Sequence, residues 1–525
     1  MLLNGIWDFG SGDADCLEPC FHTVSPVPGC ADAGKGEPRK KQRGFFRREV
    51  VCDGGDTLLT IDGMALRGEV RWDGVTVGKS ELPFACEKFR FDAGKPGRHE
   101  LMIITDNFTW DRLQDQHLAL ADFYVHTGIF GDVTLEQIHP GDVSGIAVIP
   151  LDHRTGKVEI RVEFFDIAPE KLSVSFDGGK AIELPCSPVL HLEVPDFQVW
   201  ECDNPHLHSV TVNGKSVSFG IRTLDWSGKR LLLNGKAIKL LGVNRHECHP
   251  DFGAATPLGL QASDLFKLKQ AGFNFIRGSH YPQRKSFLDL CDRLGMLVWE
   301  ETIGSGATAA QLQTPEFVNL QKKQCRKMVE KSINHPSVII WGCLNETATD
   351  QPCSRKVLQE LINEFHNCDP SRPASFASCK GDADLCLDLP DILAFNTYPG
   401  WKIDRNATVN DLEKVEPALL ELAAKYPHRP IIISEIGAAG ISGDRSGLHW
   451  SENYQAELDE IAVQTVIKND RFSGIALWQF CDTGSFIEGE LMQYRPRCFN
   501  NKGIVDEYRR PKMAYLALKK LLGKK

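Results

Sequence analysis

The chain has no uninterrupted apolar run approaching the ~20 residues that cross a bilayer, so nothing in it reads as a spanning helix. Its first residues, MLLNGIWDFGSG, have no basic segment followed by a long apolar one, which argues against an export signal. The cytoplasm is the expected compartment. An excess of positive charge is also missing. Against 60 Lys and Arg stand 70 Asp and Glu, and the net charge of -10 repels nucleic acid and anionic membranes, so neither is expected as a partner. The one basic cluster, Lys35 to Arg43 (KGEPRKKQR), sits among Gly and Pro and reads as solvated loop. The seventeen cysteines are odd in number and show no paired spacing, which excludes a disulfide framework and fits reduced, mostly buried thiols. Internal repeats and low-complexity tracts are absent as well. The string His246-Glu247-Cys248-His249 suggests metal ligands at first sight. Its histidines are three apart beside Pro250 and Gly253, whereas a helix-borne zinc signature needs them one turn apart. No metal and no cofactor is expected.

What is present is a chain of ordinary globular composition, 42% hydrophobic and 25% charged, whose 525 residues exceed what a single core accommodates. Two textures divide it. From Met1 to about Gly220, short β-type runs such as Thr57 to Ile61, Glu69 to Trp72, Glu100 to Ile104, Lys157 to Phe165 and Ser209 to Val212 alternate with Asp-Gly, Pro-Gly and Asn-Gly turns. This half reads as two all-β sandwiches, divided near His139-Pro140-Gly141. After Arg222, eight β-branched or aromatic runs alternate with helical stretches. They are Ile238 to Val243, Phe273 to Arg277, Met296 to Glu300, Val338 to Cys343, Ala374 to Ser378, Ile392 to Asn396, Pro430 to Ser434 and Gly474 to Gln479. Eight such units over about 300 residues favour a closed (β/α)8 TIM barrel over an open doubly wound sheet. The expected domains are 1–139, 140–222 and 223–525.

Active sites of such barrels lie at the C-terminal ends of the strands. Strand one ends in Asn244-Arg245-His246-Glu247, strand two in Arg277-Gly278-Ser279-His280-Tyr281 and strand three in Glu300-Glu301. Strand four ends in Asn345-Glu346, strand six in Asn396-Thr397-Tyr398, strand seven in Glu435 and strand eight in Trp478-Gln479. Packing alone does not explain so many carboxylates at one rim. Glycoside hydrolysis needs two carboxyls flanking the anomeric carbon, one holding a proton and one ionised. Strands four and seven face each other across the barrel mouth, so Glu346 and Glu435 are the expected catalytic pair, about 5–5.5 Å apart if configuration is retained. Arg277 is expected to keep Glu435 charged and Tyr398 to hydrogen-bond it. Asn345, His280 and Trp478 are expected to contact substrate.

The chain resembles glycoside hydrolase family 2, the family of β-galactosidases, β-mannosidases and β-glucuronidases, over nearly its whole length. The resemblance rests on Leu3 to Phe9 and Thr105-Asp106-Asn107 for a jelly-roll domain, and on Val199-Trp200, Asn204 to Leu207 and Phe219 to Arg222 for an immunoglobulin-like one. It continues through Leu233 to Lys236, Gly242 to Glu247, Arg277 to Pro282 and Asn334 to Ser337 up to Asn345-Glu346 in the barrel. It implies that Glu346, after Asn345, is the acid/base and that Glu435, in Ser434-Glu435-Ile436-Gly437, is the nucleophile. Within the family, Asn500-Asn501-Lys502-Gly503 is similar to the Asn-x-Lys element with which β-glucuronidases grip a sugar carboxylate. A fixed ammonium beside an amide donor suits a uronic acid, whereas a neutral sugar would leave the lysine unpaired at a cost. Asp122, before Phe123-Tyr124, resembles the aspartate that reaches the sugar from the N-terminal domain, and Asn396 to Trp401 resembles the subgroup's strand-six loop. Lys402 and Pro399 stand where tyrosines are usual, and Arg495 and Arg497 both lie near the place of a sugar-binding arginine. The C4 epimer therefore stays open: a β-glucuronide is the leading substrate, a β-galacturonide or β-galactoside an alternative. A non-catalytic carbohydrate-binding protein is the rival from another class. A homo-oligomer is expected.

Overall fold

The computed structural model describes residues 1–34, 41–108, 114, 123–401, 409–485 and 495–523. Asp122, Lys402 and most of the basic cluster at 35–43 lie outside them. The β-rich half starts from period-two patterning. In Arg67–Trp72 the chain buries Val70 and Trp72 on one face and leaves Arg67, Glu69 and Arg71 partly exposed on the other. That strand belongs to a six-stranded antiparallel sheet ordered Thr23–Val27, Gly5–Gly12, Arg43–Cys52, Gly97–Asp106, Arg67–Trp72 and Val75–Ser80. A three-stranded sheet of Val133–Gln137, Asp56–Asp62 and Cys86–Asp92 encloses the same core, in which Trp7, Phe46, Leu59, Ile61, Leu101 and Ile103 meet. A second pair of sheets, of three and four strands, follows between Val143 and Phe219 around Val148, Val158, Ile160, Leu172, Val174 and Val210.

The predicted turns do the chain reversals. Asp73-Gly74 and Asn213-Gly214 each hold two successive positive φ angles, 49° and 79° in the first and 47° and 86° in the second. That is the conformation a tight antiparallel hairpin demands, and Asn or Asp before Gly adopts it at least cost.

The third unit is a closed barrel of eight parallel strands. They run Leu240–Asn244, Phe275–Gly278, Leu297–Glu301, Val338–Asn345, Ala374–Ser378, Leu393–Asn396, Ile431–Ile436 and Phe472–Leu477. Each overlaps the run expected for it, with ends shifted by up to two residues. Leu240, Phe275, Leu297, Trp299, Ile340 and Ile432 fill one apolar cluster with Trp200, while a larger cluster seals strands against helices. The helix Lys285–Leu294 ends at Gly295 with φ 66°, where a Cβ would overlap the Cys202 carbonyl of the preceding β unit. Further bonds fix the β-rich half on the barrel. Trp200 Nε1 donates to the Asp292 carbonyl, Arg284 to the Phe130 carbonyl and the Tyr124 amide to the Gly484 carbonyl. All seventeen cysteines are free thiols, as the spacing implied. Among the described residues no helix is long and apolar enough to cross a membrane.

Candidate active site

The strand ends converge through one arginine. Arg277 is fully buried, and its guanidinium spends its donors inside the protein. Nε bonds Glu301 (2.6 Å), one terminal nitrogen bonds Asn244 (3.0 Å) and Glu435 (2.8 Å), and the other bonds Asn345 (2.9 Å). A planar fork of five donors is the group that can join four strand ends in one plane. Glu300 and Glu301 separate by strand alternation. Glu301 points to Arg277 and His280, whereas Glu300 turns outward to Lys331 and the Gln283 amide.

Register shifts aim the two candidate carboxyls. Strand four slips against strand five between Gly342 and Asn345, and Leu344 and Glu346 carry φ of 45° and 51°. Such angles in non-glycine residues store strain, and here they turn Asn345 and Glu346 out of the strand's alternation. Strand seven is likewise irregular between Ile433 and Ile436, around Glu435. Between them lies Asn396. The Ser434 hydroxyl donates to Asn396 Oδ1 (2.7 Å), which leaves Nδ2 to donate to Asn345 and to Glu346 Oε1, both at 2.9 Å.

Glu435 is held at both oxygens: Oε1 by Arg277 and Oε2 by the Tyr398 hydroxyl at 2.7 Å. His280 Nε2 lies 3.7 Å from Oε1, its Nδ1 is engaged by Glu301 (2.9 Å), and its ring stacks on Trp478 with centroids 5.3 Å apart. Burial and the charge of Glu346 push the Glu435 carboxyl up, while Arg277 and His280 pull it down. Arg277 acts in the direction expected for it, favouring the charged form, but the net direction is upward.

These groups line a cavity of about 350 Å³ that contains Glu346, Glu435, Asn345, His280, Tyr398, Trp478 and Lys502. Seven of the residues singled out in the sequence thus share one space, and Arg277 braces it from behind. Lys502 Nζ sits 4.9 Å from the centre of the Tyr398 ring. Asn500 is buried and lines a narrower adjoining cleft with Lys502, Trp401 and Arg495, and its Oδ1 accepts the Lys502 amide (3.3 Å). Arg497 points elsewhere, 57% exposed at its side chain and paired with Glu507 (2.7 Å). Glu247 does not enter the cavity; it is bound by Arg245 (2.7 Å) and Arg284 (2.8 Å). Three cavity residues were not expected as site residues: Phe123, Ser305 and Trp401. Ser305 follows strand three in a loop and accepts from Asn345 Nδ2 (3.0 Å), and no local pattern marks it. Phe123 comes from the β-rich half and stacks on His246 with centroids 4.4 Å apart.

Two carboxyls facing one cavity at the C-terminal rim of a closed parallel barrel are an arrangement that can cleave a glycosidic bond. Residues 225–524 match the family model for the TIM barrel domain of glycosyl hydrolases family 2, and the chain belongs to that family. It is 28% identical over 446 residues to a β-glucuronidase of Streptococcus agalactiae, covering 79% of this chain and 72% of that protein. The β-glucuronidase of Canis lupus familiaris is 27% identical over 432 residues, covering 76% of this chain; the match spans 64% of the dog protein's length. Among solved structures, the family 2 β-galacturonidase of Eisenbergiella tayi bound to galacturonate superposes with a TM-score of 0.88 at 31% identity. That match covers 100% of this chain and 97% of that one.

Proposed function

We propose that the chain is a retaining exo-β-glycosidase that removes terminal β-linked uronic acids, β-D-glucuronides first, by double displacement. Glu435 attacks the anomeric carbon, and Glu346 protonates the departing glycosidic oxygen. The resulting glycosyl-enzyme ester is then hydrolysed by a water that Glu346 deprotonates. The donors on both oxygens of Glu435 fix the direction of attack, and Arg277 partly offsets the upward push of burial and of the Glu346 charge. His280, Trp478 and Asn345 bound the sugar pocket, and two carboxyls suffice chemically without metal or cofactor.

The observation that carries the uronide reading is Lys502. Among the described residues lining the cavity it is the one lysine or arginine, and it shares that cavity with both glutamates. An ammonium in such a wall contributes a charge-assisted bond to a carboxylate that a neutral sugar lacks. A second reading, a β-galacturonidase, is supported by Pro399 at a position where the glucuronidase-like loop has tyrosine, and by the similarity to the Eisenbergiella tayi protein. A panel of p-nitrophenyl β-glucuronide, galacturonide, galactoside and mannoside tests both. A uronide should give the highest kcat/KM, with the C4 epimer read off directly, and a wild-type preference for a neutral sugar would remove the uronide reading. Retention is tested by NMR, where the first-formed sugar must be the β anomer. Assembly as a homo-oligomer, read by light scattering, and a cytoplasmic location belong to the same proposal.

A further inference from the structure

Lys502 is one residue of a short segment, Asn500 to Gly503, whose backbone is held from behind by a buried ion pair. Lys512 Nζ donates to Asp482 Oδ1 (2.9 Å), to the Asn501 carbonyl (3.0 Å) and to the Gly440 carbonyl (2.6 Å). Asp482 in turn accepts the Gly503 amide at Oδ1 (2.9 Å) and Asn501 Nδ2 at Oδ2 (3.4 Å). The pair therefore grips the residue before Lys502 and the residue after it. Lys502 itself is tied at its carbonyl to the Gln479 amide (2.8 Å), next to Trp478. Gly503 packs so closely that an added Cβ would lie 2.2 Å from the Asp482 amide nitrogen, so the segment and the Asp482 backbone must keep their spacing.

We propose that Lys512 and Asp482 are positioning residues for uronate recognition, which rests on reading Lys502 as the carboxylate ligand. Neither lines the cavity, and both side chains are all but fully buried. A buried ion pair is a poor way to gain stability, since apolar residues of similar volume often serve equally well. Burial pushes the Asp482 carboxyl up to about 6 even with Lys512 beside it, so the pair is held at a cost. What the pair supplies is direction: a cation with three fixed acceptors can set two carbonyls and a carboxylate at once, as an apolar side chain cannot. A long, flexible lysine at position 502 gains its selectivity only if its Cα is held where Nζ meets the sugar carboxylate.

The test uses Lys512→Met and Asp482→Asn, assayed beside wild type with the preferred p-nitrophenyl uronide and with p-nitrophenyl β-D-galactoside. A misplacement near 1 Å can cost about 10²-fold, and the uronide kcat/KM should fall on that order, chiefly through KM. The galactoside should lose several-fold less, so the uronide-to-galactoside ratio falls. Calorimetry with the free uronic acid should show weaker binding in both variants. If Lys512→Met fails to give a cooperative melt, the near-isosteric Asp482→Asn carries the test, because its amide oxygen can still accept from Gly503. A wild-type enzyme inactive on every uronide overturns the reading of Lys502 and this inference with it. Folded variants of an active uronidase that keep the wild-type ratio and affinity overturn this inference alone.

Discussion

Two glutamates at the same barrel rim, Glu247 after strand one and Glu435 in strand seven, are both buried and both touch arginine. Burial raises each. At Glu247 the charges of Arg245 and Arg284, with hydrogen bonds from Arg245 and Thr256, outweigh it and hold the carboxyl at about 2. At Glu435 burial is joined by the charge of Glu346, and Arg277 and His280 only partly oppose them, so the carboxyl is pushed up. The difference lies in what else the arginine serves. Arg245 and Arg284 bring two cations to Glu247, with Arg245 also 3.9 Å from Asp264, whereas one arginine, Arg277, is divided between Glu301 and Glu435. Glu247 is saturated with positive charge, whereas Glu435, the proposed nucleophile, is left short of it beside a second carboxyl.

The comparison can be broken most sharply by Glu435→Gln. An amide cannot form the glycosyl ester, so turnover should fall on the order of 10⁴-fold or more, while near-normal kcat would remove the nucleophile assignment. Glu346→Gln should cost about 10²–10⁴-fold on poor leaving groups and less on activated aryl glycosides. A loss equal across leaving groups would argue against proton donation by Glu346. Lys502→Ala should remove about 2–5 kcal/mol of transition-state stabilisation for the uronide and little for a neutral glycoside. Asn500→Ala should act in the same direction but more weakly, since it deletes a neutral donor. Equal proportional losses on paired substrates would contradict both.

Stability against pH sharpens the comparison further. Glu247 has a folded value of about 2 against 4.5 when unperturbed. Its contribution, on the order of 3 kcal/mol, is therefore present above pH 4.5 and lost as pH falls toward 2. Urea melts of Glu247→Gln should show a large loss at pH 7 that shrinks on acidification. Glu435 has the opposite sign. Its folded value is raised, so its ionisation is harder in the native state than in the unfolded chain and works against folding once pH exceeds the ordinary carboxylate value. Glu435→Gln should be more stable than wild type at pH 7, with the gain shrinking in acid. Parallel pH dependences for the two variants would show that the two carboxylates are not distinguished in this way.

Much of this site was legible because barrel geometry converts a one-dimensional position, the end of a strand, into a place. Glu346, Glu435, Asn345, His280, Tyr398 and Trp478 were all read from that rule, and Arg277 with them. The rule did not separate Glu247 and Glu300 from the pair that faces the cavity, Glu346 and Glu435, since both also end strands. Strand alternation turns Glu300 outward, and two arginines claim Glu247. Ser305 and Phe123 escaped because one sits in a loop without periodicity and the other arrives from a different part of the fold.

What the sequence by itself determined is the order of elements: two patterns of period two closed by Asp-Gly and Asn-Gly turns, then eight runs alternating with helices. Local sterics and the burial of alternate residues are enough for that. Only the tertiary structure decided which charges share a cavity and which cancel in pairs, because strand-end irregularities of a single residue re-aim Glu346 and Glu435. The same holds for the Lys512–Asp482 clamp, whose two residues are 30 positions apart and meet only when the segment carrying Lys502 closes over strand eight.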